Sequence, residues 1–334
     1  MWPLNLNYIY RKMDYKYKLE KYSGPSSRHR CPQCGDNHSL VLYVDEAGQP
    51  LNETVGRCNH EVACGYHYTP RQWAQDHGGW QPQQPTTWQP QQQPPALPKP
   101  SYIPGKWVLK KASYNSAFVQ FLCGILIKQQ IIDIVENYGL GATNAREVIF
   151  WQIDKRGGVR TGKIIQYNPE TGHRVKERNA DWVHARMIKE GALKAPYELR
   201  QCLFGEHLLK FYPTKPVAIV EAEKTAVIAS AIFPNYNWMA TGGLSQLSPA
   251  KLAALKGKDV ILFPDTDPDG KTFDIWREKA KEFRGVLRSC RVSDVLERKA
   301  TTEQKRHKID IADWLILALN RQKAKELSQV QPLI

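Results

Sequence analysis

Apolar and polar positions change period along the chain, and the changes divide it into segments. Residues 115–138 carry Phe118, Phe121, Leu122, Ile125, Ile127, Ile131, Ile134 and Val135 at helical spacing, which predicts a helix. Val148–Ile153 and Val159–Tyr167 flank Arg156-Gly157-Gly158 and read as strand, turn, strand. From 217 onward short apolar runs alternate with helical patterns. Strands are predicted at 217–220, 238–241, 260–263 and around 286–292, and helices at 224–233, 249–255, 272–283 and 311–319. That alternation implies a parallel sheet joined by crossover helices. Further upstream, Leu40–Val44 and Thr54–Arg57 predict a β-hairpin around Glu46-Ala47-Gly48-Gln49-Pro50.

Composition separates these segments. Residues 78–100 hold seven Gln and seven Pro, with Trp80-Gln81-Pro82-Gln83-Gln84 echoed by Trp88-Gln89-Pro90-Gln91-Gln92. Such a stretch has no apolar face to bury and reads as a semi-extended linker. The expected organisation is an N-terminal arm (1–27), a cysteine module (28–76), a linker (77–100), a basic segment (101–215), the alternating domain (216–320) and a tail (321–334). No apolar run approaches a membrane span, and the start lacks the pattern of a secretory signal. A cytoplasmic protein is expected.

Net charge is +14 over 334 residues. Residues 101–216 carry 18 Lys and Arg against 10 Asp and Glu, so eight of the fourteen surplus charges sit there. A surplus of this size favours a polyanionic partner, because neutralised phosphates release counterions.

Two constellations carry chemistry. Cys31-Pro32-Gln33-Cys34-Gly35 and Cys58 to Cys64-Gly65 form two thiolate turns separated by 23 residues, a set suited to tetrahedral, structural Zn²⁺. The second turn is enlarged to five intervening residues, so His60 or His67 could replace a thiolate. The remaining cysteines, Cys123, Cys202 and Cys290, read as ordinary buried residues. The other constellation is acidic. Glu221 follows the strand 217–220, and Asp265-Thr266-Asp267-Pro268-Asp269-Gly270 follows the strand 260–263. Ligands of open parallel sheets sit outside the carboxyl ends of strands. Acids delivered there from two strands call for a hard cation, Mg²⁺ or Mn²⁺. Gly157 to Gly162-Lys163 has the spacing of a phosphate-binding loop, but Ile164 stands where Ser or Thr is required, and the segment reads as a hairpin.

Glu221-Ala222-Glu223-Lys224, Ala240-Thr241-Gly242-Gly243 and Asp265 to Gly270, in that order, resemble the Toprim domain shared by bacterial and phage primases, topoisomerases and some nucleases. Lys308-Ile309-Asp310-Ile311-Ala312-Asp313-Trp314-Leu315 resembles the Asp-rich segment that follows the Toprim sheet in primases. Val148–Tyr167 and Gln201-Cys202-Leu203-Phe204-Gly205-Glu206 look like the basic lobe preceding it. The resemblance implies an α/β fold: a Toprim, Rossmann-like parallel-sheet core preceded by an α+β basic lobe and a small zinc-ribbon β module. It implies that Glu221, Asp265 and Asp267 are catalytic and hold Mg²⁺, with Asp269 as a helper. Arg160, Lys163, Arg186, Lys189, Lys224 and Lys271 become candidates for nucleic-acid or nucleotide phosphates. The implied activity is Mg²⁺-dependent, template-directed RNA primer synthesis on single-stranded DNA from nucleoside triphosphates, in replication of a plasmid, phage or mobile element. A separately encoded helicase is one expected partner. A Toprim nuclease and a non-catalytic DNA-binding replication or mobilisation accessory are the alternatives.

Overall fold

The computed structural model describes residues 17–60, 64–77, 99–243, 246–283 and 285–330, with side chains to residue 321. Most of the expected N-terminal arm, nearly all of the linker and the end of the tail lie outside the described residues. The chain divides into two compact units, Met1–Pro95 and Ala96–Ile334.

In the first unit, β1 (Lys18–Leu19), β2 (Leu40–Val44) and β3 (Gly56–Cys58) form an antiparallel sheet in that order. The last residues of the expected arm therefore belong to the ribbon. Leu40 pairs with Cys58 and Leu42 with Gly56. A Cβ at Gly56 would fall 2.4 Å from the Val41 carbonyl oxygen, so only glycine fits the register there. Helix α1 (Pro70–Asp76) starts at a capping box made by Thr69 and Gln72, with Pro at its first position.

The second unit has two sheets. Helices α2 (Lys106–Lys111), α3 (Ala117–Cys123) and α4 (Lys128–Tyr138) lead into an antiparallel sheet of β4 (Gly141–Ala142), β5 (Val148–Ile153), β6 (Val159–Ile165) and β7 (Asp181–Trp182). The long helix expected over 115–138 is two helices. Gly124 closes α3, and Gln130 reaches back to the Ile127 amide to start α4. Cys123, expected to be buried, is exposed at the end of α3.

After α5 (Val183–Lys189) and α6 (Leu208–Phe211) the chain builds β8 (Val217–Val220), α7 (Glu223–Ile232), β9 (Asn237–Ala240), α8 (Pro249–Leu252), β10 (Asp259–Leu262), α9 (Lys271–Glu282) and β11 (Ser289–Val292). Two short helices, α10 (Val295–Lys299) and α11 (Thr302–Arg306), precede α12 (Ile311–Val330). The four strands are parallel, in the order β11-β10-β8-β9. Every residue of β8 and β9 is buried, as continuous apolar runs covered on both faces should be.

The expected boundary at 215/216 marks a change of sheet, not of core. Phe118, Ile134, Phe150 and Phe204 pack in one cluster with Val220, Ala226, Trp238 and Leu315. The turn at 203–206 ties the halves together. Phe204 exchanges both backbone hydrogen bonds with Ala240, at 3.0 and 3.1 Å. Gly205, at φ +81°, passes so close that a Cβ would meet the Trp238 carbonyl oxygen at 2.8 Å. The other face of the parallel sheet packs Ile219, Leu262, Trp276 and Phe283. The other face of the antiparallel sheet packs Ile149, Trp151, Val183 and Met187.

Candidate metal centre and acidic site

Within the first unit, the Sγ atoms of Cys31, Cys34, Cys58 and Cys64 all lie within 4.8 Å of one another. Cys31 and Cys64 are 3.6 Å apart, and Cys34 and Cys58 are 3.8 Å apart. Four sulfurs at ~2.3 Å from a tetrahedral zinc would stand about 3.8 Å apart, so the set has the right size. Both turns close on glycine in the left-handed region, Gly35 at φ +73° and Gly65 at φ +70°. Gly35 donates its amide to the Cys31 carbonyl, which makes the turn tight enough to aim two thiols inward.

The thiols are poised for a cation. Backbone hydrogen bonding at Asp36 and the His60 ring draw Cys34 down to about 6, whereas burial pushes Cys64 up to about 12 with the neighbouring sulfurs adding to it. Burial also raises Cys58. His60 Nδ1 stands 3.7 Å from Cys34 Sγ, beside the cluster, and His67 turns instead to the Tyr43 hydroxyl at 2.9 Å. The donor set is four sulfurs, and it fits Zn²⁺.

In the second unit, β8 and β10 are neighbours in the sheet and end at the same edge. Glu221 and Asp265 lie just past their tips, and the loop between Thr266 and the chain at 309 brings in a third element. The Thr266 amide and hydroxyl both donate to the Ile309 carbonyl at 3.0 Å. That clamp sets Asp310 and Asp313, at the start of α12, against the same group. Burial pushes the Asp265 carboxyl well above the ordinary value, and the charges of Asp310, Glu221 and Asp313 push it further, against the pull of Lys224. Asp310 is raised in turn by burial and by Asp313. It accepts the Thr225 hydroxyl at 2.5 Å and the Asp313 amide at 2.8 Å. Lys224 Nζ lies 3.5 Å from Asp313. Asp265 therefore feels three other acids and one lysine.

Asp267 is held by the backbone amides of its own loop. Its oxygens accept the amides of Asp269 at 3.0 Å, Lys271 at 3.1 Å and Thr272 at 2.6 Å, and it is buried. Burial opposes its ionisation, but the amides at the start of α9 outweigh that and hold its carboxyl below the usual range. Asp267 anchors the loop that carries Asp265. Asp269, expected as a helper, is exposed and pairs with Lys271 at 2.9 Å. Asp310 and Asp313 were not singled out as site residues, although their segment carried a resemblance.

The expected basic residues do not form one surface. Pairing Phe150 with Lys163 places Lys163 on the sheet face that looks toward the parallel sheet. Its Nζ reaches Glu223 at 3.1 and 3.2 Å and the Gly242 carbonyl at 3.3 Å. Arg186 and Lys189 ride on α5, which covers the opposite face. Arg186 is committed to Glu147 at 2.9 Å and Asp181 at 2.5 Å; Lys189 is exposed. Arg160 is tied to Asp154 at 2.8 Å and lies over the Tyr102 ring. Unforeseen from sequence, Lys251 donates to the Thr241 carbonyl at 2.9 Å. Burial, aided by the charge of Lys163, pulls it down to about 8 against Cys202 and Glu223.

Residues 15–79 match the family model of a zinc beta-ribbon finger. The N-terminal unit is a zinc ribbon. Residues 116–266 match the family model of a domain of unknown function (DUF6371), which runs from α3 to the Asp265 loop and takes in the antiparallel sheet and β8, β9 and β10 of the parallel one. No curated protein matches the chain. Among solved structures, the primase fragment of the bacteriophage T7 primase-helicase is 14% identical, with a TM-score of 0.35 over 78% of this chain and 88% of that one. The DnaG primase catalytic domain bound to single-stranded DNA is 15% identical, at 0.37 over 65% and 81%. The E. coli primase catalytic core is 15% identical, at 0.29 over 68% and 82%.

Among the described residues, only the four ribbon sulfurs lie as a metal-sized set within 4.8 Å. The carboxylates at the sheet edge are spaced more widely than a closed protein cage. Mg²⁺ suits such a site, since it takes one or two carboxylates and fills the rest with water and phosphate. Burial raises Asp265 and Asp310 and the neighbouring acids add to it, and that added repulsion is what a divalent ion would relieve. No described helix is long and apolar enough to cross a membrane.

Proposed function

We propose that the chain is a DNA primase-like nucleotidyltransferase with a Toprim-type acid site, making short RNA primers on single-stranded DNA from nucleoside triphosphates. The observation that carries the proposal is the convergence of Glu221 and Asp265 from adjacent parallel strand tips with Asp310 and Asp313 from α12. Glu221 and Asp265 are the residues that hold Mg²⁺ or Mn²⁺, and Asp310 and Asp313 complete the negative field. When bound, the ion polarises a phosphoryl oxygen and lowers the pKa of an attacking hydroxyl. Lys163 and Lys251 stand on the Thr241–Gly242 rim. There, a phosphate oxygen would favour the charged form of Lys251 and oppose the effect of its burial. Asp267 keeps the loop in place through the amides of α9. The ribbon contributes a second, zinc-held surface for DNA. Its expected setting is replication of a plasmid, phage or mobile element, with unwinding left to a separate helicase.

The test is incubation with single-stranded DNA, labelled nucleoside triphosphates and Mg²⁺. New short RNA is the expected product. Shortened DNA would show a nuclease, and retarded DNA with no product would show a binding protein; either result rejects primer synthesis.

A further inference from the structure

Beyond β6 the chain turns back on itself in a short arm. Tyr167 pairs with Arg174 across an antiparallel bridge. The Val175 amide donates to the Gln166 carbonyl at 3.0 Å, and the Asn168 amide to the His173 carbonyl at 2.8 Å. Asn168 closes the tip, its side chain accepting the amides of Glu170 at 2.8 Å and Thr171 at 2.9 Å. Gly172, at φ +66°, lies against Phe121 of α3, where a Cβ would come within 2.4 Å of the ring. The arm is therefore fixed at tip and base, and the backbone of Arg174 is fixed with it.

Side chains alternate along a strand, and cross-strand neighbours share a face. Lys163 and Tyr167 are an even number of residues apart. Arg174, opposite Tyr167, thus stands on the face where Lys163 reaches Glu223 at 3.1 Å. Burial raises the pKa of the Tyr167 hydroxyl, Glu223 and Asp310 add to it, and Arg174 opposes them. One ring therefore feels two carboxylates of the acidic region and this guanidinium. The other cations nearby are engaged. Lys163 is held by Glu223, and Lys224 lies 3.5 Å from Asp313. Arg160 and Arg186 pair with acids as well. Arg174 is exposed and, among the described residues, has no carboxylate partner. Its Nη2 donates to the Arg178 carbonyl at 3.5 Å, which leaves most of its N–H donors open.

We propose that Arg174 grips the terminal phosphates of an incoming nucleoside triphosphate at the rim of the acid site. The proposal rests on the reading of that site as a Mg²⁺-dependent nucleotide site. A triphosphate carries more negative charge than one divalent ion cancels, and it must approach a cluster of carboxylates. A cation not already spent on those carboxylates has to meet it. A guanidinium does so with two parallel N–H bonds to two phosphate oxygens, which an ammonium cannot match. The fixed arm reduces the ordering cost of that contact.

Calorimetric titration of the full chain with inorganic tripolyphosphate and Mg²⁺, without template, tests this. One tripolyphosphate should bind per chain. Arg174→Ala should weaken it about tenfold or more, the worth of a charge-assisted contact, and Arg174→Lys should recover only part of the loss. Lys176→Ala removes another exposed cation of the same segment and should change the affinity less than about twofold. Single-stranded DNA should bind equally to all four proteins. The titration makes no RNA, so a failure of primer synthesis and a failure at Arg174 are told apart. Absence of saturable binding, equal affinity in wild type and Arg174→Ala, or equal losses in Arg174→Ala and Lys176→Ala would overturn the proposal. So would an Arg174→Ala variant that lost DNA binding and kept tripolyphosphate, which would give the arginine to the strand.

Discussion

Replacing Asp265 by alanine should abolish primer synthesis, by ~10²–10³-fold or more, while binding of single-stranded DNA stays close to wild type. Removing one preorganised electrostatic partner of a developing charge typically costs that much. Asp310, Glu221 and Asp313 all press on Asp265, so its loss should disturb the proposed ion site most. The same residue should betray itself in stability. Its carboxyl, like that of Asp310, is raised in the fold, so the folded chain holds more protons than the unfolded one. Metal-free stability should therefore fall as pH rises from the ordinary carboxylate value through the raised one. Asp265→Asn should flatten that fall and melt higher than wild type at neutral pH. Asp267 has the opposite sign: its lowered pKa stabilises the fold above the ordinary carboxylate value and is lost on acidification. Asp267→Asn should melt lower, by about 2–4 °C per kcal/mol lost. Thermal melting of both variants across pH 4–8 checks the pair, and shifts of the same sign would show that the two carboxyls share one environment.

Removing zinc should unfold the ribbon. Metal analysis should find about one Zn²⁺ per chain, and Cys58→Ser should bring it close to none. Among the described residues, the buried cluster of this unit is Cys31, Leu40, Leu42 and Cys58, with Cys64 and Tyr66 packed beside it. Three strands of two, five and three residues cannot supply much else. Structural zinc contributes ~10–16 kcal/mol of binding free energy that appears as folding free energy, more than so small a cluster can supply. Amide spectra should lose dispersion for residues 17–77 and keep it for the second unit, which has apolar clusters of its own. A zinc-free ribbon that remained dispersed would reject a structural metal.

The strand tips were legible because burial and periodicity announce them: Val217–Val220 and Val260–Leu262 are apolar runs ending in acids. Which acid of Asp265-Thr266-Asp267 turns inward was not. Spacing is equal for both, and the choice is made by the free amides at the start of α9, which capture Asp267. Asp310 and Asp313 joined through the Thr266 clamp on Ile309, a contact across 43 residues that no local pattern encodes. Where each basic residue points was hidden for a similar reason. Lys163 and Arg186 both add charge to the same segment, but one lies on a strand face and the other on the helix over the opposite face. The four cysteines were legible in full, since thiolate spacing is itself the geometry.

Acids from separate strand tips should share one divalent ion. Titration of Mn²⁺ into zinc-loaded protein, followed by its paramagnetic signal, tests it directly. Wild type and Asp269→Asn should bind one Mn²⁺ with similar affinity, whereas Glu221→Gln and Asp265→Asn should each weaken it at least tenfold. Equal Mn²⁺ affinity in wild type, Glu221→Gln and Asp265→Asn would mean that these acids share no ion.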